Sequence, residues 1–130
     1  MSVRDGRLNV NGTPLRTCSL PGMPVTGYVR DGFCGAHGGD AGKHNVCMDI
    51  SDVSGGATNF CAVTGQPDWC GGKRNWCVCQ WAFESAVERV GCENVTVKCD
   101  ATHEQALRDY ERRPGAALAC LRQKCGLGGR

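Results

Sequence analysis

At 130 residues the chain is long enough to bury an ordinary core as one domain, and fifteen Lys and Arg against thirteen Asp and Glu leave a formal charge of +2. The charges are spread rather than gathered in blocks, which argues against a dedicated nucleic-acid surface, and no span is long enough to cross a membrane. The polar opening Met1-Ser2-Val3-Arg4-Asp5-Gly6-Arg7 reads as neither secretory signal nor presequence, so residues 1–7 are expected to be a flexible tail on a single cytoplasmic domain over 8–130.

From Arg7 to Gly72 the chain is dense in Gly, Asn, Asp and Pro. These residues punctuate short strands, with Thr26 to Asp31 and His44 to Ile50 the clearest. Gly35 to Lys43 reads as a loop, as does most of Ser51 to Gly72, and a loop that long inside a compact domain is a candidate lid.

After Gly72 the pattern sharpens. Trp76 to Cys79 reads as a buried strand, and Phe83, Ala86, Val87 and Val90 recur at the spacing of one helical face that Gly91 ends. Val95, Val97 and Cys99 alternate with polar residues as a further strand, and Thr102 with Gln105 matches a capping box that opens the next helix. Strand, helix, strand, helix implies a right-handed crossover and a parallel strand pair. Pro114 is placed as the first residue of a last helix carrying Leu118, Leu121 and Cys125 and ending at Gly126. The expected class is α+β, with hairpins in the first half and the strand-helix-strand-helix unit in the second.

Eleven cysteines are the anomaly of the composition. In an exported chain such a count reads as a disulfide scaffold, whereas a cytoplasmic address keeps thiols reduced and turns the reading toward metal ligands, reactive thiols or small buried hydrophobes. An odd number leaves at least one thiol free in a monomer. Cys77 and Cys79, two apart on a strand, are expected to present their sulfurs together.

Several motifs in order resemble the protein family known as domain of unknown function 2237. They are Asn9-Val10-Asn11-Gly12-Thr13-Pro14-Leu15 with Cys18-Ser19, Thr26-Gly27-Tyr28-Val29-Arg30-Asp31-Gly32 with Cys34, Asp40, Gly42, His44, Val46 and Cys47, then Trp76-Cys77-Val78-Cys79 and Ala101-Thr102-His103-Glu104. The resemblance spans Leu8 to about Leu107 and implies positions of interest rather than an activity. It takes in Cys18, Cys34, His44, Cys47, Cys77, Cys79 and His103. His37, Cys61, Cys70, Cys92, Cys99, Cys120 and Cys125 fall outside the pattern, and Phe33, Ala82 and Phe83 depart from it.

Three functional readings follow. In the first, a Cys/His cluster binds zinc or a small ligand. Cys34-x2-His37 and His44-x2-Cys47 form two knuckle-like pairs across a glycine-rich loop, and such a zinc site contributes on the order of 10 kcal/mol to folding. Cys77 and Cys79 joined by Cys47 or His44 form a second candidate set. Arg30 and Asp31 are the candidate small-ligand residues, Arg30 by its two-pronged geometry toward carboxylate or phosphate, with Asp40 as its internal alternative partner. Trp69, Trp76 and Trp81 either line an apolar pocket or pack in the core.

In the second reading the chain is a thiol enzyme or redox protein. Cys47, Cys77 or Cys79 would be the nucleophile and His103 or His44 the base. Alternatively, Cys77 and Cys79 would cycle through a disulfide, or one of them would pair with Cys34 or Cys47, and the helix following Cys79 would activate its thiol. The third reading is a structural or interaction domain with buried free cysteines.

Overall fold

The computed structural model describes residues 7–22, 24–35, 39–51, 53, 59–67, 69–71 and 73–127. Its elements are β1 (Val46–Asp49), α1 (Phe60–Val63), β2 (Asn75–Val78), α2 (Gln80–Val90), α3 (Glu104–Arg112) and α4 (Ala116–Lys124), with short 3-10 turns at Cys92–Asn94 and Cys99–Ala101 between α2 and α3. The class is α+β.

Strands β1 and β2 run antiparallel, pairing Val46 with Val78, Cys47 with Cys77, Met48 with Trp76 and Asp49 with Asn75. Alternation along a strand gives this small sheet two different faces. Val46, Met48 and Val78 join Ile50, Phe60, Phe83, Tyr110, Leu118 and Leu121 in the main core, and Trp76 packs at its edge. On the opposite face Cys47 and Cys77 meet Cys18, Cys34 and Ala101 in a second, smaller cluster.

Helix α2 carries the expected face, burying Phe83, Ala86 and Val87, and Gly91 ends it at φ 90°, donating its N–H to the Val87 carbonyl. Its first residue, Gln80, is fully buried within a chain of side-chain hydrogen bonds. Asn45 Nδ2 donates to Gln80 Oε1 (3.0 Å), while Gln80 Nε2 and Gln105 Nε2 both donate to Asp109 (2.8 Å each). Tyr110 Oη donates to the Gln80 carbonyl. Asn45 Oδ1 is left without a partner among the described residues, while the remaining bonds fix the start of α2 against α3.

Several expectations are corrected. The parallel pair and its crossover are absent among the described residues: Val97 meets Met48 through a single antiparallel bridge, and Cys99 lies in a 3-10 turn. The reason is local, since Asp49 N–H donates to the Thr96 carbonyl and Lys98 N–H to the Cys47 carbonyl before the chain turns away. Thr26 to Asp31 is a turn, because Gly27 (φ 104°), Arg30 (φ 57°) and Gly32 (φ 89°) all take left-handed conformations that no strand accommodates. A side chain at Gly27 would come within 2.5 Å of the Phe33 carbonyl oxygen.

The cap of α3 is shifted by one residue. His103 Nδ1 accepts the Gln105 N–H at 3.0 Å, while Thr102 turns inward. Helix α4 begins after Pro114, with Gly115 as its cap and Cys125 just beyond its end. The expected loop at 51–72 contains α1, capped by Asn59, and a Cys61–Cys70 disulfide. Within the candidate lid 52, 54–58, 68 and 72 lie outside the described residues, as do 1–6 of the expected tail.

Candidate functional site

Ten of the eleven cysteines are paired. Cys18–Cys47 and Cys34–Cys77 lie at the sheet; Cys61–Cys70 braces α1; Cys92–Cys120 and Cys99–Cys125 tie the two 3-10 turns to α4. Cys79 is the free thiol. The pairing respects the division drawn from the sequence: cysteines within the family-like motifs bond one another, and those outside the pattern do likewise.

This pairing redraws the candidate zinc set. Cys34 and Cys47 have their sulfurs in two different disulfides, so neither offers a thiolate to a metal in this state. His37 lies outside the described residues. Cys47 and Cys77, two of the candidate nucleophiles, are likewise engaged. Pairing between Cys77 and Cys34 was one of the redox alternatives, and it takes precedence over a Cys77–Cys79 bond because β2 ends at Val78. Cys79 therefore serves as the N-cap of α2 instead of extending the strand face.

Beside Cys79 opens a cleft of about 830 Å3, within the range of small-molecule sites. Tyr28, Arg30, His44, Trp69, Lys73 and Trp76 supply its aromatic and basic lining, and Cys77 and Cys79 its sulfur. The Arg30 guanidinium lies over the Trp76 ring at 5.6 Å from its centroid, and the Lys73 ammonium over the same ring at 5.8 Å. Backbone carbonyls hold both cations, Arg30 donating to Gly27 (2.7 Å) and Lys73 to Trp69 (2.8 Å). Among the described residues neither has a carboxylate partner.

Asp40 pairs with His44 instead of Arg30. Its Oδ1 lies 2.7 Å from His44 Nδ1, and its Oδ2 accepts the His44 backbone N–H at 2.8 Å. Burial pushes the Asp40 carboxyl up, but the two bonds and the imidazole outweigh it and hold it below the ordinary aspartate value. The imidazole stacks on Tyr28, whose hydroxyl donates to the Gly39 carbonyl. No hydrogen bond joins His44 to Cys79 among the described residues, so thiol and imidazole share one cleft, with the buried Asp40 carboxylate behind the imidazole, without forming a continuous relay.

The remaining candidates sit elsewhere. Asp31 accepts the Phe33 N–H and pairs with Arg7 at 3.5 Å, outside the cleft. His103 is buried as the cap of α3, its Nδ1 committed as an acceptor. Trp81 packs edge-on against Tyr110 under Arg113, so only two of the three tryptophans line the cleft. Sequence reasoning missed Lys73, whose role depends on contact with a ring three residues on in β2, and also missed Asp40 as the partner of His44. The i, i+4 spacing was the one available signal for that pair.

The described residues contain no helix long and apolar enough to cross a membrane. No curated protein matches the chain. Residues 8–113 match the family described as uncharacterized protein conserved in bacteria (DUF2237), and the chain belongs to that family.

Proposed function

We propose that the chain binds a small anionic molecule with a flat apolar body in the Trp69/Trp76 cleft. The observation that carries this reading is the placement of two cations, Arg30 and Lys73, over one ring of the cleft wall with no carboxylate among the described residues to neutralise them. An aromatic surface gives such a ligand dispersion contact, and a guanidinium gives its anionic end a two-pronged donor. Naphthoate, naphthalenemethanol and naphthylamine, titrated against tryptophan fluorescence, test it. Saturable binding of naphthoate, weaker for the two uncharged analogues and lost in Trp76→Ala, is the expected result. Equal binding of all three, or none, ends the reading.

Thiol chemistry at Cys79 is a second reading, favoured by its position as the free thiol in the same cleft as His44, whose imidazole pairs with Asp40. Alkylation that modifies Cys79 faster in the native chain than in Asp40→Asn supports it, and equal rates count against it. The five disulfides also favour an oxidising setting for this state over the cytoplasmic address expected from the sequence, because cytosolic thiols are ordinarily kept reduced.

A further inference from the structure

The sulfur atoms of Cys18, Cys34 and Cys77 all lie within 4.8 Å of one another, and the fourth, Cys47, is bonded to Cys18 at 2.05 Å. Two disulfides are thus stacked into one knot of sulfur. All four residues are buried, and among the described residues Ala101 completes their apolar cluster.

We propose that Cys18, Cys34, Cys47 and Cys77, once reduced, close around a single zinc ion as a tetrathiolate site. Zinc–sulfur bonds of about 2.3 Å place tetrahedral ligand sulfurs about 3.8 Å apart. For Cys18, Cys34 and Cys77 that spacing lies between the bonded separation and the 4.8 Å bound of their group, while the Cys47 sulfur, bonded to Cys18 but outside that bound, has to swing in toward the other two. The backbone that would carry the ligands is already fixed. Cys47 and Cys77 stand opposite each other on β1 and β2. The Cys18 N–H and the Thr17 hydroxyl both donate to the Gly32 carbonyl, two residues before Cys34, which holds the two loops together.

This set differs from the one expected from the sequence, sharing Cys34 and Cys47 but replacing both histidines with sulfur. It is also independent of the anionic-ligand reading of the cleft. The step balances with a dithiol as reductant: two dithiols deliver four electrons, break two S–S bonds and leave as two cyclic disulfides, giving four thiols. Binding Zn2+ then forms four Zn–S bonds and releases four protons. An oxidised dithiol reverses the exchange and ejects the ion. The site would therefore exchange structural disulfides for a metal according to redox setting, with Cys77 at the cleft wall as its point of access.

The test uses the intact chain, reduced by excess dithiol without oxygen, freed of that reagent and titrated with zinc. Elemental analysis is expected to find one zinc per reduced chain and none in the oxidised chain. Brief alkylation followed by peptide mass spectrometry is expected to label Cys61, Cys70, Cys79, Cys92, Cys99, Cys120 and Cys125 while sparing the four ligands until a chelator is added. If reduction unfolds the chain, zinc should restore its circular dichroism. Cys18→Ser/Cys77→Ser should weaken zinc binding by more than about 100-fold, beyond the loss seen for an outer-shell partner. No zinc uptake, protection of a different cysteine set, or an unfolded reduced chain that zinc does not rescue would each overturn the proposal.

Discussion

Cys47 and Cys77 stand directly opposite each other in the β1–β2 ladder, yet each is bonded to a loop cysteine instead of to the other. Their backbone N–H groups point away from the partner strand: Cys47 donates to the Thr102 hydroxyl at 3.1 Å and Cys77 to the Thr26 hydroxyl at 3.0 Å. This is the signature of a non-hydrogen-bonded antiparallel pair, whose Cα atoms approach to about 4.5 Å. At these two positions a threonine hydroxyl thus accepts the N–H that a neighbouring strand's carbonyl would otherwise take, beside the loops that carry Cys18 and Cys34.

Replacing either threonine by valine keeps its shape and strands a buried N–H. Thr26 and Thr102 are both fully buried, and losing such an acceptor costs about 1–3 kcal/mol. Urea unfolding of Thr26→Val and Thr102→Val should show that loss, with Thr102→Ser much closer to the parent. A change of only a few tenths for both valine variants would mean the hydroxyls do not support the strands.

The thiol count of the native chain is fixed by the pairing. Titration with a chromogenic disulfide under denaturing, non-reducing conditions should find one thiol per chain, and peptide mapping should place it at Cys79. Cys79→Ser should lower the count to zero. A value of three or more would mean that at least one of the five pairs is open.

The second half of the fold was legible where one local rule decided it. Phe83, Ala86, Val87 and Val90 wrote α2 at helical spacing, and Gly91 had to stop it because its φ of 90° suits glycine. Val95, Val97 and Cys99 alternate as a strand does, but pairing needs a partner, and β1 offers Val97 one bridge before the 3-10 turn at Cys99 takes over. The cap of α3 fell on His103 because Thr102 was claimed by Cys47, a residue 55 positions away. The site was less legible for the same reason. Spacing brought Cys77 and Cys79 to notice, but which sulfur meets which depends on loops that cross the sheet, and the cleft depends on Arg30 and Lys73 reaching one ring.

Acid should loosen the contacts between β1, α2 and α3. Burial raises the Asp109 carboxyl, but hydrogen bonds from Gln80 and Gln105 and the charges of Lys43 and Arg112 bring it below its ordinary value, and Asp40 is lowered in the same sense. A carboxyl depressed by folding contributes stability that is complete above the unfolded aspartate pKa of about 3.9 and is lost as pH falls through the lower folded value. Unfolding free energy should therefore be flat in this respect at neutral pH and decline below about pH 4. Asp109→Asn should be less stable at pH 7 by about 1–3 kcal/mol and should decline less steeply in acid. Parallel acid limbs for the parent and the variant would exclude Asp109 as a source of the dependence.

Arg30 allows backbone and charge to be separated at one position. It holds φ 57°, a conformation that costs a residue bearing a Cβ roughly 1–2 kcal/mol and glycine almost nothing, while its guanidinium lies over Trp76 in the cleft. Arg30→Gly and Arg30→Ala remove the same cation, but only glycine relieves the strain. The glycine variant should be more stable than the alanine variant by about 1 kcal/mol in urea, and both should lose naphthoate affinity to the same extent. Lys73→Ala, far from this turn in sequence, should weaken naphthoate without the stability difference. If both Arg30 variants bind naphthoate like the parent, the cation over Trp76 is a packing contact and the ligand's charge is met elsewhere. If alanine proves as stable as glycine, the Thr26 to Phe33 turn adapts to a side chain there.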